Sequence, residues 1–480
     1  MGWARAVLAL VAVVATAGLL VSGGSGADPE TPRGLPGMPT PFLGMAVLGD
    51  GGLTAAVDAY GNVVDLRMPG PAGRALIENP VERQAAGTVA ADTGIQPWVR
   101  IGGGPALPMW RADTVRQRYL PGTNVLRTVA RFGRSRVEVR QGAHGDQLAV
   151  VVDGDATVRL RKSGGGGLLT DDPRVLAEAA ASDRRWLSRR RPLGEEAPTW
   201  AERMYERSLL VLRALTDRRT GAVAAGARDG WAYIWPRDAG AVGLAFDAAG
   251  YRPEAFSVAR FLLGLDLGAA ARFDGDGFPI PGRGPQGDAS GWVRVAARAA
   301  GLDPPPRLGW RDRPDYQEGD PGDYLGNAIA SGEAAISHLY GGKLPPRFVR
   351  QPDVDDSGSD AAAAWATRPF PQPRLYPAVR RTLRRLLLEE TRFGITPGTA
   401  WHERDPWSAP TAWTAWSLAA LGERRGALDL MHALRRSATP AGALPERVDA
   451  RTGIPRSTTP LAWSHAFAIL ALRELWPSNS

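Results

Sequence analysis

The residues in this chain best suited to chemistry stand in Gly230-Trp231-Ala232-Tyr233-Ile234-Trp235-Pro236-Arg237-Asp238. Three aromatic rings at alternate positions run into an adjacent Arg-Asp pair. In an extended segment a spacing of two puts Trp231, Tyr233 and Trp235 on one side, where flat rings can pack on the apolar C–H faces of a sugar. Arg237 and Asp238 then offer donors and acceptors to hydroxyls. Some two hundred residues later, Leu444-Pro445-Glu446-Arg447 and Pro460-Leu461-Ala462-Trp463-Ser464-His465-Ala466 add a carboxylate and another Trp. Of the 16 Trp, Trp401, Trp407, Trp413 and Trp416 also lie near carboxylates in the sequence. The chemistry implied is that of a carbohydrate site.

A carboxylate pair is what glycoside hydrolysis requires. An inverting enzyme uses one carboxylate to deprotonate water and one carboxylic acid to protonate the departing oxygen, roughly 6.5–9.5 Å apart. Glu446 suits the base role. The acid is open between Glu318, in Pro314-Asp315-Tyr316-Gln317-Glu318-Gly319-Asp320, and Glu403, in Trp401-His402-Glu403-Arg404.

These residues need a scaffold. At 480 residues the chain exceeds one comfortable core, so two domains are expected. From Phe42 to about Leu160, short apolar runs alternate with Gly and Asp turns, as in Leu53-Thr54-Ala55-Ala56-Val57-Asp58, which predicts an antiparallel β-sandwich over 42–160. A glycine run, Gly164 to Gly167, opens a linker with a helix over 161–198. From 199 to 480, Ala/Leu/Arg-rich stretches with helical spacing predict an all-helical domain. Its helices are expected at 199–215, 237–249, 252–270, 322–340, 374–391, 408–421, 424–437 and 460–475. The loops at 226–236, 272–292, 303–321, 394–407 and 439–459 would carry the chemistry.

Composition narrows the partners. The formal charge is +8, yet all but two of the 58 basic residues are Arg, and they are scattered among acids, so no nucleic-acid partner is expected. No Cys and five His argue against a metal centre, and no cofactor is expected. Arg5 followed by an apolar run over 6–21, then small residues up to Ala27, forms a secretory signal over 1–27 or a membrane anchor. Either places the body outside the cytoplasm, secreted or on the cell surface.

With these residues assembled, the chain resembles glycoside hydrolase family 15, the glucoamylase family, over about 42–475. The resemblance rests on Tyr233-Ile234-Trp235-Pro236-Arg237-Asp238, Gly282-Arg283-Gly284-Pro285-Gln286-Gly287-Asp288, Pro406-Trp407-Ser408-Ala409-Pro410-Thr411 and the Glu446 segment. It implies a mainly α fold, a C-terminal (α/α)6 barrel preceded by the β-sandwich. It also implies an exo-acting, inverting α-glucosidase releasing β-glucose from the nonreducing ends of α-glucans. Under it Glu446 is the base. Trp231, Tyr233, Trp235, Arg237, Asp238, Arg283, Gln286, Arg404, Trp407 and Trp463 hold substrate. In strict alignment Gln317 occupies the acid's place, which an amide cannot fill; a one-residue shift makes Glu318 the acid. The alternative that Gln317 motivates is an inactive, glycan-binding envelope protein on the same barrel.

Overall fold

The computed structural model describes residues 34–78, 94–154, 157–162, 168–228 and 230–478, with backbone alone at 157–162. The leader over 1–27 and the glycine run 164–167 lie outside the described residues. Among the described residues, no helix is long and apolar enough to cross a membrane.

Two antiparallel-dominated sheets form first. One joins β1 (Gly44–Gly49), β2 (Thr54–Asp58), β3 (Val63–Met68), β5 (Ile95–Arg100) and β11 (Thr157–Lys162), with β4 (Arg74–Ile77) paired to β3 and β6 (Ala106–Pro108) to β5. The other runs in the order β12 (Leu169–Thr170), β10 (Gln147–Gly154), β9 (Ser135–His144), β8 (Leu126–Phe132), β7 (Thr114–Tyr119). The strands thus continue past residue 160, into the segment expected to be linker. β1 and β2 are buried along their whole length; β1 packs on β9 of the second sheet and on the helix Thr199–Ala214. β7 and β8 instead alternate buried with exposed or half-buried residues, as strands with one wet face do. Tyr119 binds the sheets together: its hydroxyl donates to the Val47 carbonyl (2.7 Å) and accepts from the Val47 N–H (2.8 Å).

The helices follow. α1 (Pro173–Leu187) is capped by Asp172 and packs on β9 and β10, so this part of the predicted linker belongs to the sandwich surface. Beyond it come α2 (Thr199–Ala214), α3 (Pro236–Ala248), α4 (Arg252–Leu263), α5 (Ala289–Ala299), α6 (Leu325–Ser331), α7 (Glu333–Leu339), α8 (Tyr376–Leu387), α9 (Ser408–Ala420), α10 (Arg424–Ser437) and α11 (Ala462–Leu475). A 3-10 helix spans Ala361–Ala366. The segments sort by composition. α3, α9 and α11 are small and apolar on nearly every side and are buried almost throughout. α8 and α10 carry arginines on one face and leucines on the other, and only the leucine face is buried. The all-apolar helices join a closed series: α11 packs on α3, α3 on α5, α5 on α6, α6 on the 3-10 helix, that helix on α9, and α9 on α11.

Two expected helices are corrected and one was not expected. The helix begun at 252 ends at Leu263 rather than 270. The helix expected over 322–340 breaks at Gly332, whose φ of 108° suits glycine, into α6 and α7. α5 (Ala289–Ala299) begins inside the segment expected to be loop over 272–292, because glycine and proline dominate its approach. Its own Gly291 serves close packing: a Cβ there would lie 2.5 Å from the Ala330 carbonyl oxygen of α6.

Buried polar contacts fasten the sandwich to the helices. Asn124 Nδ2 donates to the carbonyls of Gly49 and Leu210, both at 2.9 Å. Thr54 Oγ1 donates to the Ala214 carbonyl at 3.0 Å. Asp183 accepts from the Asn124 N–H and pairs with Arg213 at 2.5 Å.

Candidate active site

One cavity of about 90 Å3 gathers residues from the N-terminal ends of the apolar helices and the loops leading into them. Arg237 and Asp238 come from the first turn of α3, Trp407 from the residue before α9, Leu461 and Trp463 from the start of α11. Trp231, Arg283, Tyr316, Gln317, Glu318 and Glu446 come from the loops. Helix N-termini carry partial positive charge, which favours carboxylates and hydroxyl oxygens at this end of the molecule.

Glu446 is fixed at both ends. Its backbone N–H donates to the Thr458 carbonyl and its carbonyl accepts from the Ser408 N–H, both at 2.9 Å. Its carboxylate accepts from the Ser457 hydroxyl and from the Trp231 side chain. Burial raises its pKa above the usual value of 4.5, against the opposing pull of Ser457, Arg228, Trp231 and Arg283. Arg447, its neighbour in sequence, turns away and pairs with Glu403. Glu446 therefore faces the cavity without an arginine ion pair among the described residues, although Arg228 and Arg283 still draw on its charge.

The Arg-Asp pair rests on a buried floor. Arg237 donates to Gln286 Oε1 at 2.8 Å and to Asp288 at 3.1 Å, and its guanidinium lies 4.8 Å from the Trp463 ring. Asp238 is pushed up to about 7 by burial and by the negative charge of Glu446 and Asp288, more than Arg237 pulls it down. The indole N–H groups of Trp407 and Trp463 are buried without a protein partner, although both residues line the cavity. Among the described residues, neither indole N–H has a hydrogen-bond acceptor.

Glu318, also in the cavity lining, accepts from Trp235 Nε1 at 2.9 Å and forms an ion pair with Arg283. Its φ of 57° places it in the left-handed region. Gln317 is held differently: its amide N–H2 donates to Asp360 and to the Tyr316 hydroxyl, both at 2.9 Å. Asp360 is pushed up to about 7 by burial and by the adjacent Asp315.

Nine of the residues singled out in the sequence thus meet in one cavity: Glu446, Glu318, Trp231, Trp235, Arg237, Asp238, Arg283, Trp407 and Trp463. Three do not line it. Gln286 lies beneath Arg237. Tyr233 is covered by Arg272, 4.9 Å from its ring. Arg404 is exposed on its loop. The expectation that Trp231, Tyr233 and Trp235 share one side of an extended segment is corrected. The Arg228 carbonyl accepts from the N–H of both Trp231 (3.1 Å) and Ala232 (2.8 Å), and that turn throws Trp231 toward Glu446 and Tyr233 elsewhere. Glu403, the other candidate acid, pairs with Arg447 outside the cavity lining. Tyr316, Asp288 and Asp360 were not singled out; Asp288 closes the quoted Gly282–Asp288 run and Tyr316 lies in the quoted Pro314–Asp320 run, but nothing local marks Asp360. Among the described residues, no group of three or more His, Asp or Glu is arranged to hold a metal ion.

No family model and no curated protein matches this sequence. Among solved structures, the chain is similar to a bacterial glucoamylase complexed with acarbose, with a TM-score of 0.67 at 13% identity over 90% of this chain and 94% of that one. It also aligns with a wild-type glycosidase (TM-score 0.47, 19% identity, 61% of this chain and 98% of that one). The glucoamylase from Saccharomycopsis fibuligera aligns at TM-score 0.46 and 14% identity, over 59% and 96% of the two chains. The first match spans both the sheets and the helices, and the chain therefore has a glucoamylase-like fold.

Proposed function

We propose that this chain is a glycoside hydrolase, an exo-acting and inverting α-glucosidase of the glucoamylase type that releases β-glucose from nonreducing ends of α-glucans. The closed series of apolar helices is read as the inner ring of an (α/α)6 barrel. The observation that carries the proposal is Glu446: a carboxylate held by Ser457 and Trp231 at one side of a cavity that also contains the Arg237–Asp238 pair and two unpartnered indole N–H groups.

In this reading the terminal sugar sits against Arg237, Asp238 and the indoles. Glu446 takes a proton from a water that attacks the anomeric carbon, while the bond to the leaving oxygen breaks and Glu318 supplies that oxygen with a proton. Glu318 is held by Arg283 and Trp235, so this reading requires substrate to displace those contacts. The apolar leader at 6–21 supports a secreted or surface-anchored protein.

Glu446→Gln keeps size and shape. It is expected to lower maltotetraose turnover by about 10²–10⁴-fold with an unchanged melting temperature. Full activity in that variant removes the assignment.

A second reading is favoured by a specific arrangement. Gln317 is locked onto Asp360 and Tyr316, and Glu318 is engaged by Arg283 and Trp235. A protein with no free proton donor binds a glycan without cleaving it. Maltotetraose binding by calorimetry with no glucose released over a day separates this reading from the first.

A further inference from the structure

The arginines that look scattered in the sequence collect on one surface. Arg116, Arg118, Arg127, Arg131, Arg136 and Arg140 all point from the outer face of the β7–β8–β9 sheet, as their pairing shows: Arg118 lies opposite Arg127, Arg127 opposite Arg140, and Arg131 opposite Arg136. The period of two that a strand imposes brings them together, with Glu138 the one acid among them between Arg116 and Arg140. Across β9 and β10 the same face offers Glu138 and Asp153 as counter-charges. Glu138 is already shared by Arg127 and Arg136, and Asp153 pairs with Arg140 at 2.5 Å.

This face forms one wall of a hollow of about 980 Å3, far larger than the active-site cavity. Five of the six arginines line it, all except Arg140. The opposite wall is Ala438–Pro440 and Thr452–Pro455 from the helical part. Ala438, Thr439 and Pro440 also bound a second hollow of about 670 Å3, into which Arg203, Arg207 and Arg435 contribute beside Trp200. No Asp or Glu lines either hollow among the described residues, and neither shares a residue with the active-site cavity. Arg116, Arg118, Arg131, Arg203 and Arg435 are exposed and make no ion pair among the described residues. Five uncompensated guanidinium groups along one groove repel one another at the expense of stability, a cost that a bound polyanion relieves.

We propose that this groove docks an acidic polysaccharide, a single glycan chain bearing carboxylate or phosphate groups, at a site separate from the catalytic cavity. The planar, permanently charged guanidinium pairs two-pronged with either anion. The walls between the arginines are apolar, with Met38, Pro39, Ile454 and Pro455, which suits the C–H faces of sugar rings. A concave groove walled on two sides admits a single chain but not a flat bilayer. Among the described residues no aromatic ring lines the larger hollow, so they offer no stacking platform of the kind single-stranded nucleic acid uses.

The test uses the purified protein with polygalacturonate as probe and neutral dextran, oligo(dT) and phosphatidylserine vesicles for comparison. Polygalacturonate is expected to bind at low ionic strength and to be released as salt rises, dextran not to bind. The variant R116E/R118E/R131E is expected to weaken binding by about tenfold or more. R260E, the same kind of charge change on the exposed face of α4, is expected to change it less than about twofold. R203E/R435E tests the second hollow should the triple variant fold poorly. Failure to bind polygalacturonate, undiminished binding in both groove variants, or equal or tighter binding of oligo(dT) or vesicles through the same arginines overturns the proposal.

Discussion

At the scale of single residues, the site is a set of opposed electrostatic environments. Glu446 is raised by burial, so as a base it is ionised only above the usual value of 4.5, and the acid limb of the kcat/KM profile against pH is expected to lie above that value. A limb at or below it contradicts the base role. Glu318 faces the opposite requirement, and its role is separable by leaving group. Glu318→Gln is expected to slow maltotetraose hydrolysis by about 10²–10⁴-fold but to leave 2,4-dinitrophenyl α-glucoside nearly unaffected, since that leaving group departs without a proton. Equal losses on both substrates rule Glu318 out as the acid. Which residues would come together was largely readable in the sequence, because Arg237, Asp238, Trp407 and Trp463 each sit where a loop meets a helix and Glu446 lies in the loop between two helices. Tyr233 and Arg404 show where such reading stops: a turn held by one carbonyl, that of Arg228, redirects Tyr233, and the loop before Trp407 leaves Arg404 outside. Asp360 was invisible because its meaning lies in a contact with Gln317, 43 residues away.

At the scale of elements, the helices are close-packed through small residues at their crossings. A methyl group at Gly291 meets the Ala330 carbonyl, and one at Gly326 meets the Trp365 ring at 3.0 Å. Gly291→Ala is expected to cost about 1–3 kcal/mol, read from denaturant melts; a neutral result contradicts the described α5–α6 contact. α11 carries a second test. His465 is buried, accepts from the Leu444 N–H at Nε2 (2.9 Å) and faces Ser208 at Nδ1 (2.9 Å), and burial lowers its pKa from 6.5 to about 3. The unfolded chain therefore binds a proton between those values that the folded chain does not, so this residue's contribution is full above 6.5 and is lost as pH falls toward 3. The drop in stability between pH 6.5 and 4 is expected to be smaller in His465→Asn than in the unaltered protein; an equal drop contradicts it. The strand-then-helix order was legible from periodicity. α5 was not, because its glycine serves packing against another helix and reads locally as loop.

At the scale of the molecule, one large buried core runs from the sandwich into the helices, beside a small cluster under α1, and Asn124, Thr54 and Asp183 bridge sandwich and helices. Calorimetry is expected to show one unfolding transition. Asn124→Ala strands the carbonyls of Gly49 and Leu210, at about 1–3 kcal/mol for each unsatisfied group, and is expected to lower or split that transition. Two well-separated transitions in the unaltered protein contradict the shared core. This joint was beyond the sequence, since the partners of Asn124 stand 75 and 86 residues away.

The central claim, a hydrolase that inverts at the anomeric carbon, is tested most directly by proton NMR of the purified protein with maltotetraose, following the anomeric signals from the first minutes. The account predicts that β-glucose appears first and α-glucose only later, by mutarotation. Initial release of α-glucose contradicts the water-activating role of Glu446, and no release at all contradicts hydrolysis.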